Sequence, residues 1–219
     1  MQIQWIGQTA FLLSAANGAR VLMDPFNRQC GLERDDFPAH VVTFSHRHLD
    51  HYDASAVGSA QVVEGAGKHT AAGINFFGLQ AFHDKEMGKH RGQITMFQLW
   101  LEDLSIVHLS DLGHSLNSYA RDAFGKIDVL MVPCGGRVTL DPKGALEAIE
   151  YLNPSIAIMM AYHTPGLLIG TLGRNKVETM FPIRQTGKVL SIDKSSLPAR
   201  TEIHFLDVVS KCPEIQLNT

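Results

Sequence analysis

The sequence predicts a layered α+β fold in which short strands predominate and helices lie on the outer faces. Short apolar segments separated by turn residues recur through the first half of the chain, which is typical of strands. After residue 140 the apolar spacing changes to that of a helix, and another buried strand follows. Strands with helices inserted between some of them indicate packed layers around a common core.

Glycine, asparagine and proline mark the ends of the predicted elements. The predicted strands cover residues 3–6, 10–13, 21–23, 41–44, 61–63, 75–77, 94–101, 106–109, 129–132 and 156–160. A helix is expected from Asp141, as its N-cap, through Pro142 to a stop at Asn153, because apolar side chains follow at helical spacing. Further helical pieces are expected after Asp53 and around residues 115–124.

The composition is that of an ordinary globular protein. The chain has 219 residues, of which 45% are hydrophobic and 19% charged, and this predicts a single domain over residues 1–219. A net charge of -3 gives no sign of general nucleic-acid binding. Neither a signal peptide nor a span of ~20 apolar residues is recognisable, so we expect a cytoplasmic protein without a membrane partner. The spacing of Cys30, Cys134 and Cys212 predicts ordinary reduced thiols.

The main chemical signal is the run His-Arg-His-Leu-Asp-His at residues 46–51, directly after the predicted strand 41–44. His46 and His48 share one face while the chain stays extended. A turn after them would bring Asp50 and His51 toward the same point. The run thus offers two imidazoles to one metal ion and a carboxylate with an imidazole to a second, a set that suits zinc and also iron or manganese.

This run resembles the H-x-H-x-D-H motif of the metallo-β-lactamase superfamily. The chain is similar to the branch of small metal-dependent hydrolases that includes a sugar-phosphate lactonase, L-ascorbate-6-phosphate lactonase. The resemblance extends from the strand-turn-strand opening around Asp24 to the region of His163. It implies a four-layer αββα sandwich and two divalent metal ions, taken as zinc with manganese or iron as alternatives.

The resemblance also implies ligands outside the motif. His83 falls where a third histidine of the first metal site is expected, although nearby His90 stays open as an alternative. Asp111 falls at the position of a bridging carboxylate, preceded by Ser110 where relatives more often have glycine. The last histidine follows the strand 156–160. The implied metal ligands are His46, His48, Asp50, His51, His83, Asp111 and His163.

Four other residues are candidates for contacts around the metals. Asp24 either accepts a hydrogen bond from the second ring nitrogen of a ligand histidine or only makes a turn. His114 could face the substrate. His90 and Arg91 lie in a glycine-rich stretch that either reaches over the pocket to meet an anion or forms a solvated hairpin.

The remaining histidines receive structural interpretations. His108 lies inside an apolar strand, which favours a hydrogen-bonded core histidine. We expect His40, His69 and His204 at ordinary surface or turn positions.

The implied reaction is hydrolysis by a hydroxide held between two metal ions, with Asp50 orienting the nucleophile and collecting its proton. We expect a small-molecule substrate, namely an ester, a lactone or a phosphorylated metabolite, and an anionic substrate is left open. The alternatives are a phosphodiesterase or nuclease of the same superfamily and a metal-binding protein with little catalysis. The chain is too short for a large nucleic-acid arm, so no nucleic-acid partner is expected. A homo-oligomer is left open.

Overall fold

The computed structural model of this protein describes residues 1–210. Cys30 and Cys134 are buried free thiols, whereas Cys212 lies outside the described residues. Within residues 1–210, no helix has both the length and the apolar character needed to cross a membrane.

Strands make up most of the regular structure in the described residues. The strands are β1 (Gln2–Gly7), β2 (Ala10–Ser14), β3 (Arg20–Met23), β4 (Val41–Phe44), β5 (Gln61–Glu64), β6 (Gly67–Ala71), β7 (Ile74–Phe82), β8 (Gln93–Leu101), β9 (Leu104–His108), β10 (Val129–Pro133), β11 (Ile156–Met160), β12 (Ile183–Thr186), β13 (Leu190–Ser191) and β14 (Glu202–Leu206). The helices are α1 (Ser118–Phe124), α2 (Pro142–Leu152) and α3 (Arg174–Glu178). Short 3-10 turns lie at Arg28–Cys30, Ala54–Ala56 and Lys194–Ser196.

The strands form two sheets. The first sheet has six strands in the order β13-β1-β2-β3-β4-β5, and the second has eight in the order β12-β14-β11-β10-β9-β8-β7-β6. In the first sheet β3, β4 and β5 run parallel, and in the second β9, β10, β11 and β14 run parallel. The carboxyl ends of parallel strands come out at one edge of their sheet, where the side chains that follow them can meet.

The main apolar core lies between the two sheets and continues to α1 and α2. Side chains alternate along β2, so Phe11 and Leu13 face this core while Leu12 faces the opposite side of the first sheet. Trp5 in β1 packs against Tyr162, just after β11, with ring centroids 4.7 Å apart. Contacts of this kind hold the sheets face to face and position their edges relative to one another.

The architecture agrees with the predicted layered α+β sandwich, but its two outer layers differ. In the described residues, α1 and α2 cover the second sheet, whereas loops and a 3-10 turn cover the outer face of the first. Phe26, Cys30 and Leu167 supply buried side chains to this second apolar cluster. Short irregular segments can complete an outer layer because they bury single large side chains rather than a continuous helical face.

Helix α2 has the predicted boundaries. The side chain of Asp141 accepts a hydrogen bond from the N–H of Gly144, Pro142 occupies the first turn, and Asn153 takes a left-handed conformation after the last turn. The piece predicted after Asp53 is only a 3-10 turn, capped by the Asp53 side chain. The elements after residue 163 were not predicted.

The prediction that His204 is a surface or turn residue is wrong. His204 is buried in β14, which lies between β11 and β12, and its Nδ1 is 2.8 Å from Oγ1 of Thr186. A strand inside a sheet that is covered on both faces buries its polar side chains along with its apolar ones. The polar identity of the residue therefore misled the prediction.

Candidate metal centre

The candidate site lies where the carboxyl ends of strands from both sheets meet. The run 46–51 follows β4 of the first sheet, while His83 and Asp111 follow β7 and β9 of the second. The N–H of Thr95 in β8 donates to the carbonyl of Ser45 at 3.0 Å, which joins the sheets directly beside the run. Residues distant in the chain are thereby brought to one point.

Three histidines form the first group of potential ligands. One ring nitrogen from each of His46, His48 and His83 lies within 4.8 Å of the others. Nε2 of His46 is 3.1 Å from Nδ1 of His48, so these two atoms face the shared centre. His83 is the buried member of the group and His46 and His48 are partly exposed, which gives the centre an open side.

A second group of ligand atoms shares a residue with the first. Ligand atoms of His46, His51 and Asp111 also lie within 4.8 Å of one another. Oδ2 of Asp111 is 3.0 Å from Nε2 of His51 and 3.1 Å from Nε2 of His83. Asp50, a predicted ligand, belongs to neither group, although its Oδ2 lies 3.5 Å from Nε2 of His51. A single carboxylate oxygen of Asp111 thus stands between an imidazole of each group.

Burial and charge act against each other in this cluster. Burial alone raises the pKa of Asp111, but His51 and His83 outweigh it and hold the pKa well below its ordinary value. Burial alone lowers the pKa of His51, but Asp111 and Asp50 outweigh it and raise the pKa well above its ordinary value. Burial and then the charge of His51 lower the pKa of His46, which therefore stays neutral at ordinary pH. The ionised Asp111 and the neutral His46 are in the form that binds a metal ion, whereas the raised pKa of His51 means that a cation there has to displace its proton.

The buried polar atoms fit divalent cations. Oδ1 of Asp111 is buried without a hydrogen-bond partner among the described residues, and Nε2 of His51, although 3.0 Å from Oδ2 of Asp111, makes no well-aligned hydrogen bond there. A buried polar atom left unpaired costs about 1–3 kcal/mol, and a cation at the centre would satisfy both. Imidazole and carboxylate donors suit zinc, iron and manganese.

Side chains behind the ligands orient them. Nδ1 of His51 is 3.0 Å from Oδ2 of the fully buried Asp24, and Nδ1 of His83 is 3.1 Å from the carbonyl oxygen of Val138. Nε2 of Gln8 donates to Oδ2 of Asp50 at 2.8 Å. Partners on the remote ring nitrogen fix which nitrogen is available to a metal ion.

The remaining predicted site residues lie outside the two groups. His163 follows β11 at the same edge of the second sheet as Asp111, but its side chain is exposed and belongs to neither group. Its role as a ligand stays a prediction. The ring nitrogens of His114 are both engaged with backbone, one accepting from the N–H of Phe82 at 3.3 Å and the other 2.9 Å from the carbonyl oxygen of Ser115.

His83, and not His90, lies in the first group of potential ligands. Asp84 turns the chain away from the site directly after His83, because its Oδ2 accepts the N–H groups of His90 at 3.0 Å and Arg91 at 2.8 Å. The side chains of His90 and Arg91 are exposed. Arg91 lines a cleft of 530 Å³ that also includes His46 and His48.

Two residues, His108 and Gly113, contact segments that carry candidate ligands, and the sequence did not predict these contacts. His108 is a hydrogen-bonded core histidine, as predicted, with Nε2 2.8 Å from the carbonyl oxygen of Thr9. A Cβ on Gly113 would lie 2.5 Å from the carbonyl carbon and oxygen of His83, so only glycine allows this approach. In the sequence, only the position of Gly113 two residues after Asp111 could have pointed to this role.

Comparison with known proteins identifies the family. Residues 2–161 match the model of the beta-lactamase superfamily domain. The chain belongs to the beta-lactamase superfamily. A UPF0173 metal-dependent hydrolase of Carboxydothermus hydrogenoformans is 29% identical, over 79% of this chain and 89% of its own. Another UPF0173 metal-dependent hydrolase, from Methanopyrus kandleri, is 26% identical over 75% and 85%.

A solved structure supports the same family. A metallo-beta-lactamase superfamily protein from Thermotoga maritima matches with a TM-score of 0.73 and 29% identity, covering 94% of this chain and 98% of that one. These likenesses confirm the predicted superfamily and sandwich fold, and they place the chain among metal-dependent hydrolases. They do not show the narrower resemblance to the lactonase branch, which stays a prediction.

Proposed function

We propose that this beta-lactamase superfamily protein uses two divalent metal ions to hydrolyse an ester, a lactone or a phosphorylated small molecule. The observation that carries the proposal is the position of Asp111 Oδ2, 3.0 Å from Nε2 of His51 and 3.1 Å from Nε2 of His83. Zinc is the proposed metal, with manganese or iron as alternatives, and the Thermotoga maritima relative is itself described as a candidate zinc-dependent hydrolase. A cytoplasmic location is part of the proposal.

The predicted ligands would form two metal sites that share one residue. One site would be held by His46, His48 and His83, the other by Asp50, His51 and the predicted His163, with Asp111 shared between them. When bound, the metal ions supply a hydroxide nucleophile at neutral pH and Lewis acidity toward the substrate.

Asp50 is the group that we assign to orienting the attacking water and taking its proton. Burial raises its pKa, but His51 outweighs this and lowers the pKa below its ordinary value, so the carboxylate is ionised at neutral pH. The hydrogen bond from Gln8 holds the carboxylate beside the centre. No serine or cysteine nucleophile is required.

The cleft beside the histidines favours a small substrate. Its 530 Å³ volume lies within the range of about 300–1,000 Å³ that is common for small-molecule sites. Arg91 lines this cleft, and among the described residues no carboxylate forms an ion pair with its exposed guanidinium. We therefore propose that Arg91 can receive an anionic group of the substrate. Nucleic acid and membranes are not proposed as partners.

A substrate screen tests the proposal. Purified protein loaded with Zn²⁺, Mn²⁺ or Fe²⁺ is assayed on a generic lactone, carboxyl ester, thioester, phosphomonoester and phosphodiester. His48→Ala is the inactive variant, and His40→Ala is its control, because His40 is an exposed histidine directly before β4, outside both ligand groups. Turnover of a lactone, ester or phosphomonoester that disappears only in His48→Ala supports the proposal.

Two outcomes of the screen overturn it. Turnover confined to the phosphodiester would indicate a phosphodiesterase or nuclease. Bound metal without turnover of any class would indicate a metal-binding protein with little catalysis.

A further inference from the structure

Ser110, directly before Asp111, has a backbone conformation that favours glycine. Its φ is 53°, in the left-handed region that is strained for residues with a side chain, and it is fully buried. Its N–H donates to Nδ1 of His108 at 3.1 Å. Glycine would adopt this backbone conformation without strain, so the serine side chain requires its own explanation.

The hydroxyl of Ser110 reaches the edge of the other sheet. Its Oγ donates to Oγ of Ser45 at 2.7 Å. Oγ of Ser45 donates in turn to Oδ2 of Asp24 at 2.5 Å. A serine hydroxyl carries one hydrogen, and in this hydrogen bond that hydrogen is directed at Asp24.

The direction of this hydrogen bond decides whether the Ser45 hydroxyl donates to His46 or accepts from it. Nδ1 of His46 lies 3.0 Å from Oγ of Ser45. Since the hydroxyl has no second hydrogen, Nδ1 of His46 carries the hydrogen and donates it. Nε2 of His46 is then unprotonated, and it is the atom that lies 3.1 Å from Nδ1 of His48 in the first ligand group.

Asp24 acts on a second ligand through the same oxygen. Its Oδ2 is 3.0 Å from Nδ1 of His51, and Nδ1 also has Oγ1 of Thr9 at 2.9 Å. When Nε2 of His51 binds a cation, the remaining ring hydrogen therefore sits on Nδ1. One buried carboxylate thus serves two ligand histidines, one directly and one through Ser45.

We infer that Ser110 is a positioning residue of the metal site, which acts through Ser45 and Asp24 to keep His46 in the tautomer whose Nε2 can bind a cation. The inference rests on the proposed metal site. Consecutive hydroxyl hydrogen bonds polarise one another, so the donation from Ser110 strengthens the donation from Ser45 to Asp24. Without it, the Ser45 hydroxyl is freer to turn toward Nδ1 of His46 and favour the opposite tautomer.

The test compares Ser110→Gly with Asp103→Gly. Asp103 has a φ of 61° in the exposed turn between β8 and β9, so glycine relieves a left-handed residue in both variants. Only Ser110→Gly removes the hydroxyl. Three quantities are measured: the zinc affinity by competition with a chelator, the unfolding midpoint of the metal-free protein, and the tautomer of His46 by nitrogen NMR of the metal-free protein.

We expect Ser110→Gly to weaken zinc binding about tenfold, at the lower end of the effect of losing a group behind a ligand. The population of His46 protonated on Nε2 should rise, and the unfolding midpoint should not fall, because glycine suits this backbone. Asp103→Gly should leave zinc affinity and tautomer unchanged.

Each remaining outcome decides the matter. Unchanged zinc affinity or an unchanged His46 tautomer in Ser110→Gly would overturn the inference. A lower unfolding midpoint without a tautomer change would assign Ser110 a purely structural role and would overturn it too. If the unmodified protein binds no zinc, the proposed function fails, while the spectra of the metal-free protein still decide the role of Ser110.

Discussion

Oδ2 of Asp111 lies 3.0 Å from Nε2 of His51, although the two residues follow strands of different sheets. This proximity joins the two groups of ligands into one centre. It also makes Asp111 the residue whose loss should affect both proposed metal ions at once.

Replacing Asp111 with alanine should reduce bound metal from two equivalents to at most one and lower metal affinity by more than about 100-fold, since even groups behind a ligand are worth about 10–100-fold. Metal analysis after dialysis and circular dichroism are the measurements. Asp122→Ala, at an exposed position of helix α1, is the matched control. A folded Asp111→Ala protein that keeps two equivalents would show that Asp111 is not a ligand.

His83 and His90 should respond differently to the same substitution. His83→Ala removes a buried member of the first ligand group and should abolish one equivalent of bound zinc and the activity. His90→Ala removes an exposed side chain whose loop is held by backbone N–H groups on Asp84, and it should retain both. Equal metal loss in the two variants would contradict this assignment of the ligand.

Gly113→Ala should destabilise the site without removing any ligand. The added Cβ would lie 2.5 Å from the carbonyl oxygen of His83, and overpacking of this kind costs about 1–3 kcal/mol. Displacement of His83 should weaken zinc binding as well. Gly187→Ala is the control, because a Cβ there has no atom within 4 Å and should change stability by less than about 0.5 kcal/mol. Denaturant unfolding and zinc titration of both variants decide the point.

A buried ion pair between Arg34 and Asp53 should be important for stability. Nη2 of Arg34 lies 2.6 Å from Oδ2 of Asp53, with side chains 1% and 9% exposed. Asp53→Ala leaves the buried guanidinium only the longer 3.8 Å approach of the exposed Asp36. It also removes the cap of the 3-10 turn, and together these losses should cost about 3–5 kcal/mol. The exposed pair of Arg28 and Glu33 gives the comparison, and Glu33→Ala should cost less than about 1 kcal/mol. Similar losses for the two variants in denaturant unfolding would refute this expectation.

His204 should make stability depend on pH. Burial lowers its pKa, so the unfolded chain binds the proton more readily than the native protein. The contribution is fully present above the ordinary pKa of about 6.5 and is lost as the pH falls below it, by less than about 1.4 kcal/mol per pH unit.

Replacing His204 with asparagine should therefore flatten the fall in unfolding free energy between pH 7.5 and pH 5 in metal-free protein. His40→Asn, at an exposed histidine, should leave the slope as it is. An unchanged slope in His204→Asn would mean that the native and unfolded states bind the proton equally well.

Local sequence patterns were sufficient to predict the strand positions and the motif at residues 46–51. The run at residues 46–51 could be recognised because its ligands are neighbours in the chain, and the geometry of an extended strand places His46 and His48 on one face. The cap and stop of α2 were equally local, since Asp141 and Pro142 act on the first turn and Asn153 on the last. Interactions between residues that are close in the chain can be predicted from the order of the residues alone.

Other features depended on chain segments that meet only after folding. Nothing in the spacing of His83 and His90 separates them, and the choice follows from where β7 ends and how Asp84 turns the chain. His204 was misplaced because its burial comes from the neighbouring strands β11 and β12.

The sequence by itself determined the superfamily, the strand-rich class and the candidate ligands, because these depend on residue types at short spacing. Only the tertiary structure decided that Ser110, Ser45 and Asp24 form one hydrogen-bond chain behind the ligands. The physical reason is that a hydrogen bond depends on distances of about 3 Å, and such distances between residues far apart in the chain are set by how the two sheets pack.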